Sequence, residues 1–77
     1  MGAIQINYGQ AKQLTIEYLH DWMNKLPAAQ RTAPIIAFNT RVWSIPQMIA
    51  QVTNNTEVGK RYVYYYIGSL KNYVVMG

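Results

Sequence analysis

The sequence predicts a small α+β fold that is mainly helical, and three features of the 77-residue chain support this class. Apolar residues recur at three- and four-residue spacing along its longest patterned stretches, which is typical of amphipathic helices. Shorter stretches alternate or are rich in branched side chains, which favours strands. The hydrophobic fraction of 51% argues against disorder, and the length suits a single domain over residues 1–77. We therefore expect about three helices and one or two short strands.

The composition excludes several kinds of site. The chain has no cysteine and one histidine, His20, so disulfides, thiolate zinc sites and imidazole-rich metal sites are excluded, and we expect no metal and no cofactor. Residues 1–8 lack a signal-peptide pattern, and no apolar run approaches the roughly 18 residues of a membrane span. We therefore expect a cytoplasmic protein with no membrane partner.

The basic residues are concentrated in the second half of the chain. The net charge is +4, and residues 39–77 carry four basic residues against one acidic residue, an excess of three. This bias permits nucleic-acid binding without requiring it. Charged residues make up only 13% of the chain and there are seven tyrosines, which favours a surface that contacts a partner or a second copy.

The first third of the chain predicts a short strand and then a long helix. Residues 2–8 alternate, as a strand would. A helix is predicted from about Tyr8 to Leu26, because Asn7 and Gln10 have capping-box spacing and Pro27 disfavours continuation. Residues 28–34 predict a loop, and residues 35–43 predict one strand with Ile36, Phe38, Thr40 and Val42 on the same side.

Two further helices are predicted in the second half. Ser44 and Gln47 form a second capping-box pair before a helix over about residues 45–52, and Pro46 lies in its first turn. A third helix begins after a cap at Asn54 or Thr56 and continues to about residue 72, with a core face of Gly59, Val63, Tyr66, Ile67, Leu70 and Val74.

Two glycines, Gly59 and Gly68, lie inside this third helix, where each costs about 1 kcal/mol relative to alanine. Either they permit close approach of another backbone, or Gly68 ends the helix and residues 71–76 form a final strand. The sequence leaves this choice open, as it does whether residues 3–8, 35–43 and 71–76 join in a sheet.

In outline, residues 44–70 resemble the helix-turn-helix superfamily of DNA-binding domains. The polar stretch 53–59 predicts a connection longer than the usual three to four residues. The resemblance implies that the third helix enters the major groove, with Arg61 pairing with guanine and lysines contacting phosphates. The candidate nucleic-acid-binding residues are Arg41, Lys60, Arg61, Tyr64 and Lys71. The alternative is ordinary packing of two helices.

The tyrosines of the third helix surround it on all sides, so they cannot all be buried. We expect Tyr66 in the core. Tyr62, Tyr65 and Tyr73 are expected to share a lateral face that forms a partner or homodimer interface. The alternatives are stacking on unpaired bases and packing against the first helix.

Catalysis has little support in the sequence. Glu17, His20 and Asp21 lie close together on one helical face, but no nucleophile and no phosphate-binding loop accompany them, so a solvated polar face is the better interpretation. We therefore expect a non-enzymatic regulatory protein that binds nucleic acid and has no small-molecule substrate. The alternative is an adaptor or inhibitor that docks on a larger assembly through its tyrosines.

Overall fold

A computed structural model describes residues 2–76 and shows a small, mainly helical α+β fold. Along this range the elements are β1 (Ile4–Asn7), α1 (Tyr8–Lys25), a 3₁₀ turn (Ala28–Gln30), β2 (Ile36–Phe38), β3 (Arg41–Trp43), α2 (Ile45–Thr53), α3 (Glu57–Leu70) and β4 (Tyr73–Met76). The predicted fold class and its three α-helices are confirmed. The described residues contain four strands, which is more than the one or two expected.

Both predicted capping boxes are present, and they determine where α1 and α2 begin. The Asn7 side chain accepts a hydrogen bond from the Gln10 amide at 2.8 Å, and the Gln10 side chain accepts one from the Asn7 amide at 3.0 Å. Ser44 and Gln47 make the same reciprocal pair at 3.2 and 2.9 Å. Each pair satisfies two amides that the first helical turn leaves without partners.

Residues 35–43 form a hairpin, so the prediction of one continuous strand is wrong. Asn39 and Thr40 both have positive φ, 55° and 63°, as in the type I′ turns that join antiparallel strands. The turn changes which residues share a side. Arg41 and Trp43, not Thr40 and Val42, lie on the same side as Ile36 and Phe38. Val42 accordingly faces solvent.

The two ends of the chain meet in a second small sheet. Strand β1 pairs with β4 in parallel, with Ile4 opposite Tyr73 and Ile6 opposite Val75. Helix α3 ends at Leu70 because Lys71 takes the left-handed conformation, with φ 60°. The predicted final strand is therefore present. Helix α3 ends at neither of the two predicted positions, Gly68 and residue 72. The chain has two separate two-stranded sheets within its described part.

The core lies where α1, α2 and α3 meet. Its largest fully buried side chains are Leu19, Ile45, Met48, Val52, Val63 and Ile67. Trp43 joins the hairpin to this core: it is buried, and its indole nitrogen donates to the Phe38 carbonyl at 3.0 Å. This packing presents one face of α3 to the core and leaves the residues of the opposite face exposed. Val74, expected in the core, lies in β4 and is half exposed.

The helices of the described residues do not meet the length and apolarity that a bilayer span requires.

Candidate nucleic-acid interface

A short connection joins α2 to α3, and it corrects the expectation of a long turn. Only three residues, Asn54 to Thr56, separate the two helices. Asn55 takes a left-handed conformation with φ 55°, and the Thr56 hydroxyl accepts a hydrogen bond from the Gly59 amide at 3.1 Å. Thr56 is therefore the cap of α3, as the second of the two predicted alternatives had it. Glu57 and Gly59, which made the turn seem longer, already belong to the helix.

Gly59 lets the backbones of α2 and α3 touch. A β-carbon at position 59 would overlap the Gln51 carbonyl and lie 2.7 Å from the Val52 nitrogen. Thr56 adds a second link, because its hydroxyl lies 2.7 Å from the Gln51 side-chain oxygen. The predicted close approach at Gly59 is confirmed. Because these contacts involve backbone, they leave little freedom in the angle between the two helices.

The opposite face of α3 carries the basic residues. Lys60, Arg61 and Tyr64 are all exposed along the first two turns of the helix. Gly68 continues this face, and a β-carbon there would meet no atom within 4 Å. Gly68 therefore serves no close packing among the described residues, unlike Gly59. We call Lys60, Arg61, Tyr64 and Gly68 the outer face of α3.

The charged side chains of the outer face are held only weakly by ion pairs. Arg61 pairs with Glu57 one turn earlier at 2.7 Å, and both side chains are exposed. An exposed pair of this kind contributes at most about 1 kcal/mol, so Arg61 can exchange Glu57 for another anion at small cost. The other ion pair between described residues joins Lys25 to Asp21, so Lys60 takes part in neither.

Tyr64 is supported from behind by the start of α1. Its ring lies 5.9 Å from the ring of Tyr8, and 47% of the Tyr64 residue surface remains exposed. The Tyr8 hydroxyl is buried and makes no hydrogen bond to any described residue. Burial raises the pKa of Tyr8, and its neighbour Tyr64 raises it further. The uncharged phenol of Tyr8 therefore packs behind Tyr64 and adds no charge to this part of the outer face.

The burial of Tyr62 and Tyr66 is the reverse of what was expected, because Tyr62 is the buried tyrosine and Tyr66 is only partly buried. Tyr62 is only 5% exposed, because Phe38 of the hairpin covers it edge-on at a ring distance of 5.3 Å. Burial, and then the nearby phenols of three other tyrosines, raise the pKa of Tyr62 to about 12. Tyr66 is instead half-buried and stacks on Tyr18, with ring centres 4.3 Å apart. The hairpin, missed from the sequence, causes this difference.

Of the three tyrosines predicted to share a lateral face, Tyr62 and Tyr65 remain neighbours with ring centres 6.0 Å apart, whereas Tyr73 lies outside α3. Tyr62 is in the core, and Tyr73 lies half-buried in β4. Tyr65 is 62% exposed and lines a groove of about 460 Å³ between α1, α3 and β2. The side chains along this groove carry no formal charge, and most of them are aromatic or aliphatic: Tyr18, Trp22, Ile35, Ile36, Ala37, Tyr62, Tyr65, Tyr66, Ser69 and Leu70. We call it the aromatic groove.

The predicted nucleic-acid-binding residues also fall into separate groups. Lys60, Arg61 and Tyr64 lie together, whereas Lys71 follows the last residue of α3, at the other end of the helix. Arg41 belongs to the hairpin, where its guanidinium carbon lies 4.5 Å from the centre of the Trp43 ring. The hairpin turn was not predicted from the sequence. The signal that could have found it is Asn39, because asparagine readily adopts the positive φ of such turns.

No cluster of three or more histidine and carboxylate groups within residues 2–76 is placed to hold a metal ion. The chain matches no protein-family model, no curated protein and no solved structure.

Proposed function

We propose that this protein is a small non-enzymatic DNA-binding regulator that inserts α3 into the major groove. The proposal is supported by one arrangement: two helices joined by three residues cross in backbone contact at Gly59, and the second helix carries a basic face whose residues are exposed. A helix-turn-helix motif needs both features, because the first helix fixes the angle at which the second meets the groove.

The residues of the outer face suit the roles that such a helix requires. Arg61, in the second turn of α3, has the planar fork that pairs with guanine in the major groove. Lys60, beside it, supplies a charge for a phosphate oxygen. Gly68 adds no side chain, so the helix can approach the duplex closely at that point. The excess of positive charge in the second half of the chain would attract the duplex before docking.

The test is the binding of a short mixed-sequence DNA duplex over a series of salt concentrations. The substitutions Lys60→Ala and Arg61→Ala together should weaken binding, through the lost guanine contact of Arg61 and the lost phosphate contact of Lys60. The slope of log affinity against log salt should fall by about 1, since one lost phosphate contact contributes about 0.9. The matched control is Lys25→Ala with Arg31→Ala, which removes the same charge from the end of α1 and the loop after it. The proposal fails if both pairs of substitutions change the slope equally, or if the unchanged protein binds no duplex.

The aromatic groove supports a second candidate function, docking to protein. Tyr65 exposes most of its surface beside Tyr18 and Trp22, and aromatic residues in such positions are enriched in binding hot spots. Because its lining is uncharged, the groove would meet the same groove of a second copy around a two-fold axis without charge repulsion. We therefore propose a second copy of the chain as its occupant.

Sedimentation of the protein at micromolar concentration tests this candidate. The unchanged protein should sediment as a dimer, and Tyr65→Asp should give a folded monomer because a charge enters the uncharged interface. Tyr64→Asp, on the outer face, is the matched control and should remain a dimer. A monomeric unchanged protein would contradict the candidate.

A further inference from the structure

The β2–β3 hairpin packs beside α3. Near its base, Ile36 lines the aromatic groove together with Ser69 and Leu70, which lie at the end of α3. Two residues further along, Phe38 contacts Tyr62 and Tyr65, with ring centres 5.3 and 5.5 Å apart. The hairpin therefore packs beside α3 through Phe38, and the turn of Asn39 and Thr40 follows Phe38 directly.

Arg41 lies on the side of the hairpin that faces α3. It is the register partner of Phe38, and side chains opposite each other in an antiparallel pair share one side of the sheet. Its guanidinium lies over the buried Trp43 ring, which restrains the side chain by a cation–π contact. Arg41 takes part in neither ion pair of the described residues. It is an exposed, restrained guanidinium whose N–H edges can reach an anion.

The turn beside Arg41 carries a side chain where glycine would be easier to accommodate. Thr40 has φ 63°, an unfavourable value for a β-branched residue, and asparagine followed by glycine is the preferred pair in such a turn. The Thr40 hydroxyl donates a hydrogen bond to the Asn39 carbonyl at 2.6 Å, so its polar group is satisfied within the turn. The tip is thus short and polar, and Arg41 follows it directly.

We infer that the hairpin tip is a second DNA contact, in which Arg41 binds a phosphate on the strand bordering the groove that α3 occupies. This inference rests on the proposed function, since it requires α3 to be docked on the same duplex. Phosphate is the group that fits, because a guanidinium offers two parallel N–H donors to two phosphate oxygens. With α3 in the groove and the hairpin on the backbone beside it, the domain would hold the duplex at two points.

The experiment compares Arg41→Gln with Arg31→Gln, which removes the same charge from the loop after α1. Binding is measured with a mixed-sequence DNA duplex over a salt series, and thermal unfolding of each variant checks the fold. Arg41→Gln should flatten the salt slope by about 1 relative to the unchanged protein, whereas Arg31→Gln should leave the slope near its original value. Arg41→Lys should keep the slope, because lysine still supplies the charge.

A second pair of variants leaves Arg41 and Trp43 intact. Thr40→Glu places a negative charge at the tip and should weaken duplex binding, whereas Thr40→Gln, of similar size and backbone strain, should bind like the unchanged protein. If Arg41→Gln alters the fold, the comparison of Thr40→Glu with Thr40→Gln tests the inference instead. Duplex binding that needs Lys60 and Arg61 but is unaffected by Arg41→Gln and Thr40→Glu would overturn the inference alone. Absence of any duplex binding by the unchanged protein would overturn both the inference and the proposed function.

Discussion

The inner and outer faces of α3 place two glycines in opposite surroundings. Gly59, on the inner face, lies against the backbone of α2, where a methyl group has no room. Gly68, on the outer face, has open space where its side chain would be. Packing among the described residues therefore explains the first glycine and not the second. The fold accordingly determines the inner face, whereas no contact of the described residues requires glycine on the outer face.

The largest effect is expected from adding a methyl group on the inner face. Gly59→Ala should lower the free energy of unfolding by about 3 kcal/mol, the upper part of the usual range for overpacking, because the clash is with backbone that cannot rotate away. Urea unfolding followed by circular dichroism measures this loss. If Gly59→Ala were as stable as the unchanged protein, α2 and α3 would not cross in backbone contact.

The second-largest effect is expected at alkaline pH, where the free energy of unfolding should fall because of Tyr62 on the inner face. The pKa of Tyr62 is about 12 in the folded protein, against an ordinary value of 10.0. Below pH 10 both states keep the proton, so the stabilisation is fully present. As pH rises toward 12 the unfolded chain releases the proton while the folded protein keeps it. Stability should then fall by about 1.4 kcal/mol per pH unit.

Unfolding of the unchanged protein and of Tyr62→Phe across this interval checks the assignment. The variant lacks the ionisable hydroxyl, so its stability should fall less steeply than that of the unchanged protein. Parallel curves for the two proteins would show that Tyr62 is not the group responsible.

The smallest effect, with the opposite sign, is expected on the outer face. Gly68→Ala should raise the free energy of unfolding by about 1 kcal/mol, because alanine favours the helix and the new methyl group meets no atom. Thermal unfolding measured beside Gly59→Ala gives a matched comparison of one methyl group on two sides of one helix. Destabilisation by Gly68→Ala would mean that this face is packed against something in the folded protein.

The helices could be predicted from the sequence because their signals are local. The pairs Asn7 with Gln10 and Ser44 with Gln47 act within one turn, so their spacing alone located the starts of α1 and α2. The hairpin could not be predicted in this way. Its strands continue the same alternation across the turn, and only the positive φ of Asn39 and Thr40 reverses the chain.

The candidate site was predicted in part, for a similar reason. Lys60, Arg61 and Tyr64 share a face through helical spacing, and the structure leaves all three exposed together. Lys71 and Tyr73 were assigned by the same spacing, but the left-handed conformation of Lys71 ends the helix before them. The reversed burial of Tyr62 and Tyr66 depends on a distant segment, the hairpin, whose position no helical pattern contains.

We propose that the outer face of α3, and not the aromatic groove, is the DNA-binding surface. The most direct test is an NMR titration of the isotope-labelled protein with a mixed-sequence DNA duplex at low salt. We expect the largest amide shift changes at Lys60, Arg61, Tyr64 and Gly68, with small changes at Trp22 and Ser69 in the groove. Changes concentrated at Trp22 and Ser69, or no changes at all, would contradict the claim.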